Sequence, residues 1–200
     1  MRQAGFNVGQ LRQAGFSAGQ LRTAGFDIEQ LKQAGFDAGH LRGAGFEAGQ
    51  LKTAGFNAVQ LREAGFSVGQ LREAGFDALQ LRQVPGIDAR FLRERLGFDA
   101  RQLREAAFNA WQLSQAGFDI GHLRGAGFTA WQLRQAGFTV WQLEEAGFDA
   151  CRLREAGFDI GQLKQAGFDA RNLRRAGFEA GQLRTAGFNV GQLRQAGPCS

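Results

Sequence analysis

His40 and His122, Cys151 and Cys199, and Trp111, Trp131 and Trp141 are the residues of this 200-residue chain best suited to chemistry or recognition. The two histidines could ligate a metal, but two side chains supply too few ligands for a structural or catalytic zinc site. They read instead as variants of a helix cap. A cysteine nucleophile needs a base arranged beside it. No motif places a histidine next to Cys151 or Cys199, so neither is expected to be catalytic. No Gly-Lys-Ser/Thr loop is present to cradle a phosphate. Catalytic, cofactor-binding and metal-binding residues are therefore all expected to be absent.

Two features point to recognition. The three tryptophans occupy equivalent positions of a repeat, at which Gly is the commonest residue. Clustered Trp on a surface suits a protein contact; alternatively the rings cover a groove of the same molecule. If the units stack in order, the three lie along one edge. The second feature is a basic stretch containing Arg90, Phe91, Arg93 and Arg95, which reads either as a joint or as a partner-docking site.

The repeat that positions these residues has a ten-residue unit. Thirty Gly and nineteen Phe beside no Tyr and one Met are the mark of a template copied many times. Phe recurs every ten residues from Phe6 to Phe76 and from Phe98 to Phe188. Ile87 stands between the two series at eleven-residue spacing on each side, which makes nineteen units. Leu follows five residues later in each, and Gly precedes the Phe position everywhere except at Ala107.

Within a unit the signals are those of one short helix. The residue after Phe is Asp, Asn, Ser or Thr in 17 of 19 units, Glu47 and Glu179 being the exceptions. These are the preferred N-caps. Gln follows three residues later in 14 units; His40, Phe91, His122, Arg152 and Asn172 replace it elsewhere. That spacing has the form of a capping box, with Phe at N′ and Leu at N4 as a hydrophobic staple. Ala-Gly then stops the helix, with Gly where a left-handed residue is wanted. The N1 position is Ala, Val or Ile throughout. The expected buried stripe in one unit is Phe16, Ala18, Leu21 and Ala24. So short a helix is unstable alone and must be held by its neighbours.

The array is similar to the tandem GF-[DNS]-A-x-[QE]-L-[RK]-x-A units found in protist and algal proteins. That resemblance covers nearly the whole chain, implies a repeat scaffold and carries over no catalytic residue. If Phe and Leu are instead equivalent and the period is five, the chain resembles the pentapeptide-repeat family. That would imply a right-handed quadrilateral β-helix with small inward residues. Glu29, Arg101, Trp111, Trp131, Trp141 and Arg171 fall where those small residues belong. The sequence therefore favours an all-α solenoid of about nineteen very short helices.

The array is read as one body over residues 1–200, with regular blocks at 1–83 and 98–197 and a phase break at 84–97. In the break, Pro85 ends the preceding helix. Lys or Arg follows Leu in 17 of 19 units, interrupted only by Ser114 and Glu144. A basic stripe of this kind could track a phosphate backbone. Its place toward each helix C-terminus, opposite acidic N-caps, fits dipole complementation better. Net charge is +5, which permits an acidic partner without requiring one.

No apolar run reaches 18 residues and no signal-like segment follows Met1, so neither a membrane span nor a secretory signal is expected. The closing Gly197-Pro198-Cys199-Ser200 and the opening half-unit lack polar capping repeats, which predicts coverage by another copy or another protein. One template repeated nineteen times leaves few unique polar residues for an asymmetric active site. The expected role is a non-catalytic scaffold or protein-interaction subunit of a larger assembly, with nucleic-acid binding through the Lys/Arg stripe as the alternative.

Overall fold

The computed structural model describes residues 6–197; Pro198 and Cys199 lie outside the described residues. The chain divides into two compact units, residues 1–98 and 99–200. The first contains α1 (Val8–Gln13), α2 (Ala18–Thr23), α3 (Ile28–Gln33), α4 (Ala38–Gly43), α5 (Ala48–Thr53), α6 (Ala58–Glu63), α7 (Val68–Glu73), α8 (Ala78–Leu81) and α9 (Ala89–Leu96). The second contains α10 (Ala100–Glu105), α11 (Ala110–Gln115), α12 (Ile120–Gly125), α13 (Ala130–Gln135), α14 (Val140–Glu145), α15 (Ala150–Glu155), α16 (Ile160–Gln165), α17 (Ala170–Arg175), α18 (Ala180–Thr185) and α19 (Val190–Gln195). No strand occurs among the described residues, so the array is all-α and the β-helix alternative is not supported.

Each corner follows from the capping chemistry. At α6, Asn57 Oδ1 accepts the Gln60 N–H at 2.9 Å and Gln60 Oε1 accepts the Asn57 N–H at 2.9 Å. Two donors that the helix leaves unpaired are thereby satisfied. At the other end, the Phe66 N–H donates to Leu61 O and the Gly65 N–H to Arg62 O. This is a complete Schellman motif, with Gly65 at φ 92°. Phe66 is thus C″ of one helix and N′ of the next. One aromatic ring serves the stop of α6 and the start of α7, which is why ten residues suffice for a unit. Asn172 also completes a capping box, with Asp169. At Glu47 and Glu179 the Gln half of the box is present, at 3.0 Å and 2.8 Å.

Within each unit successive helices alternate between two columns. In the first, α1 packs on α3, α5 on α7, and α2, α4, α6 and α8 form the opposite series. In the second, α11, α13, α15, α17 and α19 stack in order, and α10 lies against α12. Neighbours in sequence also pack side by side. The structural period is therefore two helices, or twenty residues, although the sequence period is ten. Between the columns lies the apolar core. The Leu at N4 is 0% exposed from Leu21 to Leu183, most Phe and N1 residues join it, and no polar or charged described residue is buried. Of the stripe expected for one unit, Ala18 and Leu21 are buried, and Phe16 and Ala24 are half-buried.

The phase break is absorbed locally. Pro85, which has no N–H to offer a helix, follows an α8 cut to four residues. Val84 is 2% exposed and takes a core position, while Ile87 is only half-buried. The second inserted residue lengthens α9 to eight residues.

Candidate functional site

The Lys/Arg position after each Leu turns out to be a tie between helices. Arg42 Nη1 donates to Ala64 O at 2.8 Å, and Ala64 is the C-cap of α6, two helices further on. Its guanidinium also lies 5.2 Å from the Phe66 ring centroid. The same bond recurs at Arg12–Ala34 (2.7 Å), Arg22–Ala44 (2.6 Å) and Lys32–Ala54 (2.6 Å) in the first unit. In the second unit it recurs at Arg104–Ala126 (3.0 Å), Arg134–Ala156 (2.6 Å) and Lys164–Ala186 (2.8 Å). Each cation thus meets the negative end of a helix in its own column and the π face beyond it. The dipole reading of the sequence holds with one correction: the complemented helix is the one two places along. Side-chain length decides this. A stacked helix end lies within reach of an outward-pointing Arg, and the C′ glycine leaves room for it. A Cβ added at Gly45 would lie 2.7 Å from Arg22 Nη1.

The ladder has interruptions that sequence changes explain. Arg62 donates to Phe66 O at 3.2 Å, because the corner two helices on is the irregular one at Pro85. Arg72 adapts by lying over Phe98, 3.8 Å from its centroid. In the second unit Ser114 and Glu144 replace the cation outright. No described hydrogen bond reaches Ala136 O or Ala166 O, and Phe138 and Phe168 are half-buried where Phe128, Phe148, Phe158 and Phe178 are buried.

Trp111, Trp131 and Trp141 are exposed, at 56%, 57% and 53%. They do not share one edge: α11 and α13 stand in one column and α14 in the other, since the columns alternate. Their shared position faces the last turn of the helix two places on. Trp141 Nε1 donates to Gln165 O at 3.3 Å, as Cys151 Sγ does to Arg175 O (3.5 Å) and Arg171 to Gln195 O (3.1 Å). Trp131 walls a groove of about 560 Å³ together with Phe128, Phe148, Arg124, Arg152 and Glu155. Related grooves recur at Phe6–Phe26 and Phe46–Phe66, where Gly9 and Gly49 take the Trp place. Such grooves belong to the repeat itself, present with Gly or with Trp at this position.

Arg90, Phe91, Arg93 and Arg95 lie on α9 of the first unit. Arg90 and Arg95 are exposed, and Phe91 and Arg93 half-buried. The tryptophans belong to the second unit, so the two candidate clusters stand in separate bodies. His40 and His122 keep cap positions. Their Nδ1 atoms lie 2.7 Å from Asp37 Oδ1 and Asp119 Oδ1. Each ring meets the preceding Phe edge-on, at 5.8 Å and 6.0 Å. The His40 and His122 backbone N–H groups hold the two carboxyls below their ordinary range; partial desolvation opposes this, and the imidazoles add to it. Among the described residues no three His, Cys, Asp or Glu side chains converge as metal ligands, and no helix is long and apolar enough to cross a membrane.

Fold and ladder together define a class: an all-α array built from ten-residue helical units tied through their C-termini. The decapeptide repeat region family model matches residues 1–64, 16–85, 86–152 and 127–198, and the chain belongs to that family. No curated protein and no solved structure matches it.

Proposed function

We propose that the chain is a non-catalytic scaffold that holds a protein partner, or a further copy of itself, within an assembly. The observation that supports this most is where its polar chemistry goes. The repeated cations, the residues most suited to a phosphate backbone, are bonded to helix ends and stacked on Phe rings of the same chain. The large aromatic side chains left outward in the second unit are Trp111, Trp131 and Trp141, and a groove lies beside Trp131. Large exposed aromatics of this kind favour protein contacts. A catalytic role finds little support in a surface where one cap and one rung repeat in almost every unit.

The test is capture by the full chain from extracts of its own cells, with cross-linking to identify residues in contact. The reading expects a defined protein partner cross-linked to the second unit, and its loss when all three tryptophans are changed to Ala. Salt-dependent binding to DNA or RNA, unaffected by the Trp changes, would favour the nucleic-acid reading instead.

A further inference from the structure

Two of the nineteen units lack the rung cation, and both carry one of the three tryptophans three residues earlier: Trp111 with Ser114 and Trp141 with Glu144. The second combination is the more telling. Where a cation would sit, Glu144 places a carboxylate, and no ion pair to it occurs among the described residues. Ahead of it stand the carbonyl of the buried C-cap Ala166 of α16, which no described hydrogen bond reaches, and the half-buried ring of Phe168. Beside it Trp141 is fastened to the adjacent carbonyl, Gln165 O. Lys164, the nearest cation along α16, is committed two helices on, to Ala186 O at 2.8 Å and to the Phe188 ring at 4.8 Å.

The chain itself shows what this arrangement accepts. Ten cation–ring contacts of the same design are described, and seven use Arg. A planar guanidinium bonds the helix-end carbonyl while stacking on the ring. At Glu144 the same acceptor and ring remain, with a carboxylate and an indole added. We propose that Trp141, Glu144, Ala166 O and Phe168 form a docking site for an arginine side chain of a partner protein, which supplies the missing rung from outside. The proposal rests on the scaffold reading and names the chemistry of its contact. At Ser114 the corresponding place lacks the carboxylate, and Ser114 Oγ donates instead to Trp111 O at 2.8 Å.

The full chain, labelled with nitrogen-15, is titrated with acetyl-Gly-Gly-Arg-Gly-Gly-amide and with its uncharged citrulline counterpart. The signals followed are the Trp141 indole N–H and the Phe168 amide. Saturable shifts with the arginine peptide are expected, with at least tenfold weaker binding of the citrulline peptide. Glu144→Arg fills the rung internally; it should abolish the response while raising the melting temperature, which shows that the fold persists. An equal response to citrulline, an undiminished response in Glu144→Arg, or no saturable shift would each overturn the site. Loss of the peptide response with partner capture intact would leave the scaffold reading standing. The reverse result, peptide binding with no Trp-dependent capture, would remove that reading and keep the site.

Discussion

Ala107 has φ 63° and is the one non-glycine residue with positive φ among those described. It occupies the C′ position that glycine fills in the other units, and a left-handed backbone costs an L-residue about 1–2 kcal/mol. Part of that is offset because glycine loses more entropy on folding. Ala107→Gly should therefore stabilise the chain by about 0.5–1 kcal/mol in urea unfolding, and a destabilised variant would contradict the Schellman corner assigned there. The rung residues carry a comparable weight. Arg134→Met keeps the apolar stem and removes the bond to Ala156 O. About 2 kcal/mol should be lost, since the variant gives up both a hydrogen bond from a charged group and an exposed cation–π contact, each worth roughly 1 kcal/mol or more. Asp37 and Asp119 make the stability depend on acid. Their folded carboxyls titrate below the ordinary range, so their contribution is complete above about pH 5 and is lost as pH falls below about 4. Thermal unfolding of the double variant Asp37→Asn/Asp119→Asn, which keeps capping side chains, should show a smaller loss of melting temperature over that acid range.

Six residues make fewer than two helical turns, so no element here is stable by propensity. What holds each one is its Leu. Leu123 is 0% exposed, and Leu123→Ala should cost about 2–5 kcal/mol. Because the stability of an array is the sum of unit and neighbour terms, hydrogen exchange in this variant should rise first in α12 and the helices packed on it. Uniform loss of protection throughout the second unit would contradict that localisation. The helix boundaries were legible in the sequence because start, staple and stop signals sit within one ten-residue unit. Asn57, Gln60, Leu61 and Gly65 each mark a fixed position. The double use of Phe66 was harder to see, since the Phe recurs at a place that both a C″ and an N′ contact require.

At the scale of the molecule, the alternation of columns left no mark in the sequence. Odd and even units are written with the same template, so a ten-residue repeat cannot announce a twenty-residue structural period. For that reason the Lys/Arg position could be placed at a helix C-terminus but not at the right helix, and Trp141 could not be separated from Trp111 and Trp131. Ser114 and Glu144 were visible as breaks in a series. Their meaning needed the tie from one helix to the helix two places along. With the cations engaged in that tie, DNA or RNA should bind no more than weakly, and fluorescence anisotropy with the full chain should show little change at moderate salt. The tie itself is the claim on which the rest depends. It is tested most directly by double-mutant cycles pairing Arg42→Met with Phe66→Leu and, as the comparison, with Phe46→Leu at the corner that ends Arg42's own helix. A coupling of about 0.5–1 kcal/mol is predicted between Arg42 and Phe66, 24 residues apart, with none between Arg42 and Phe46. Coupling to Phe46 without coupling to Phe66 would mean that each cation serves its own helix, and the ladder would not exist.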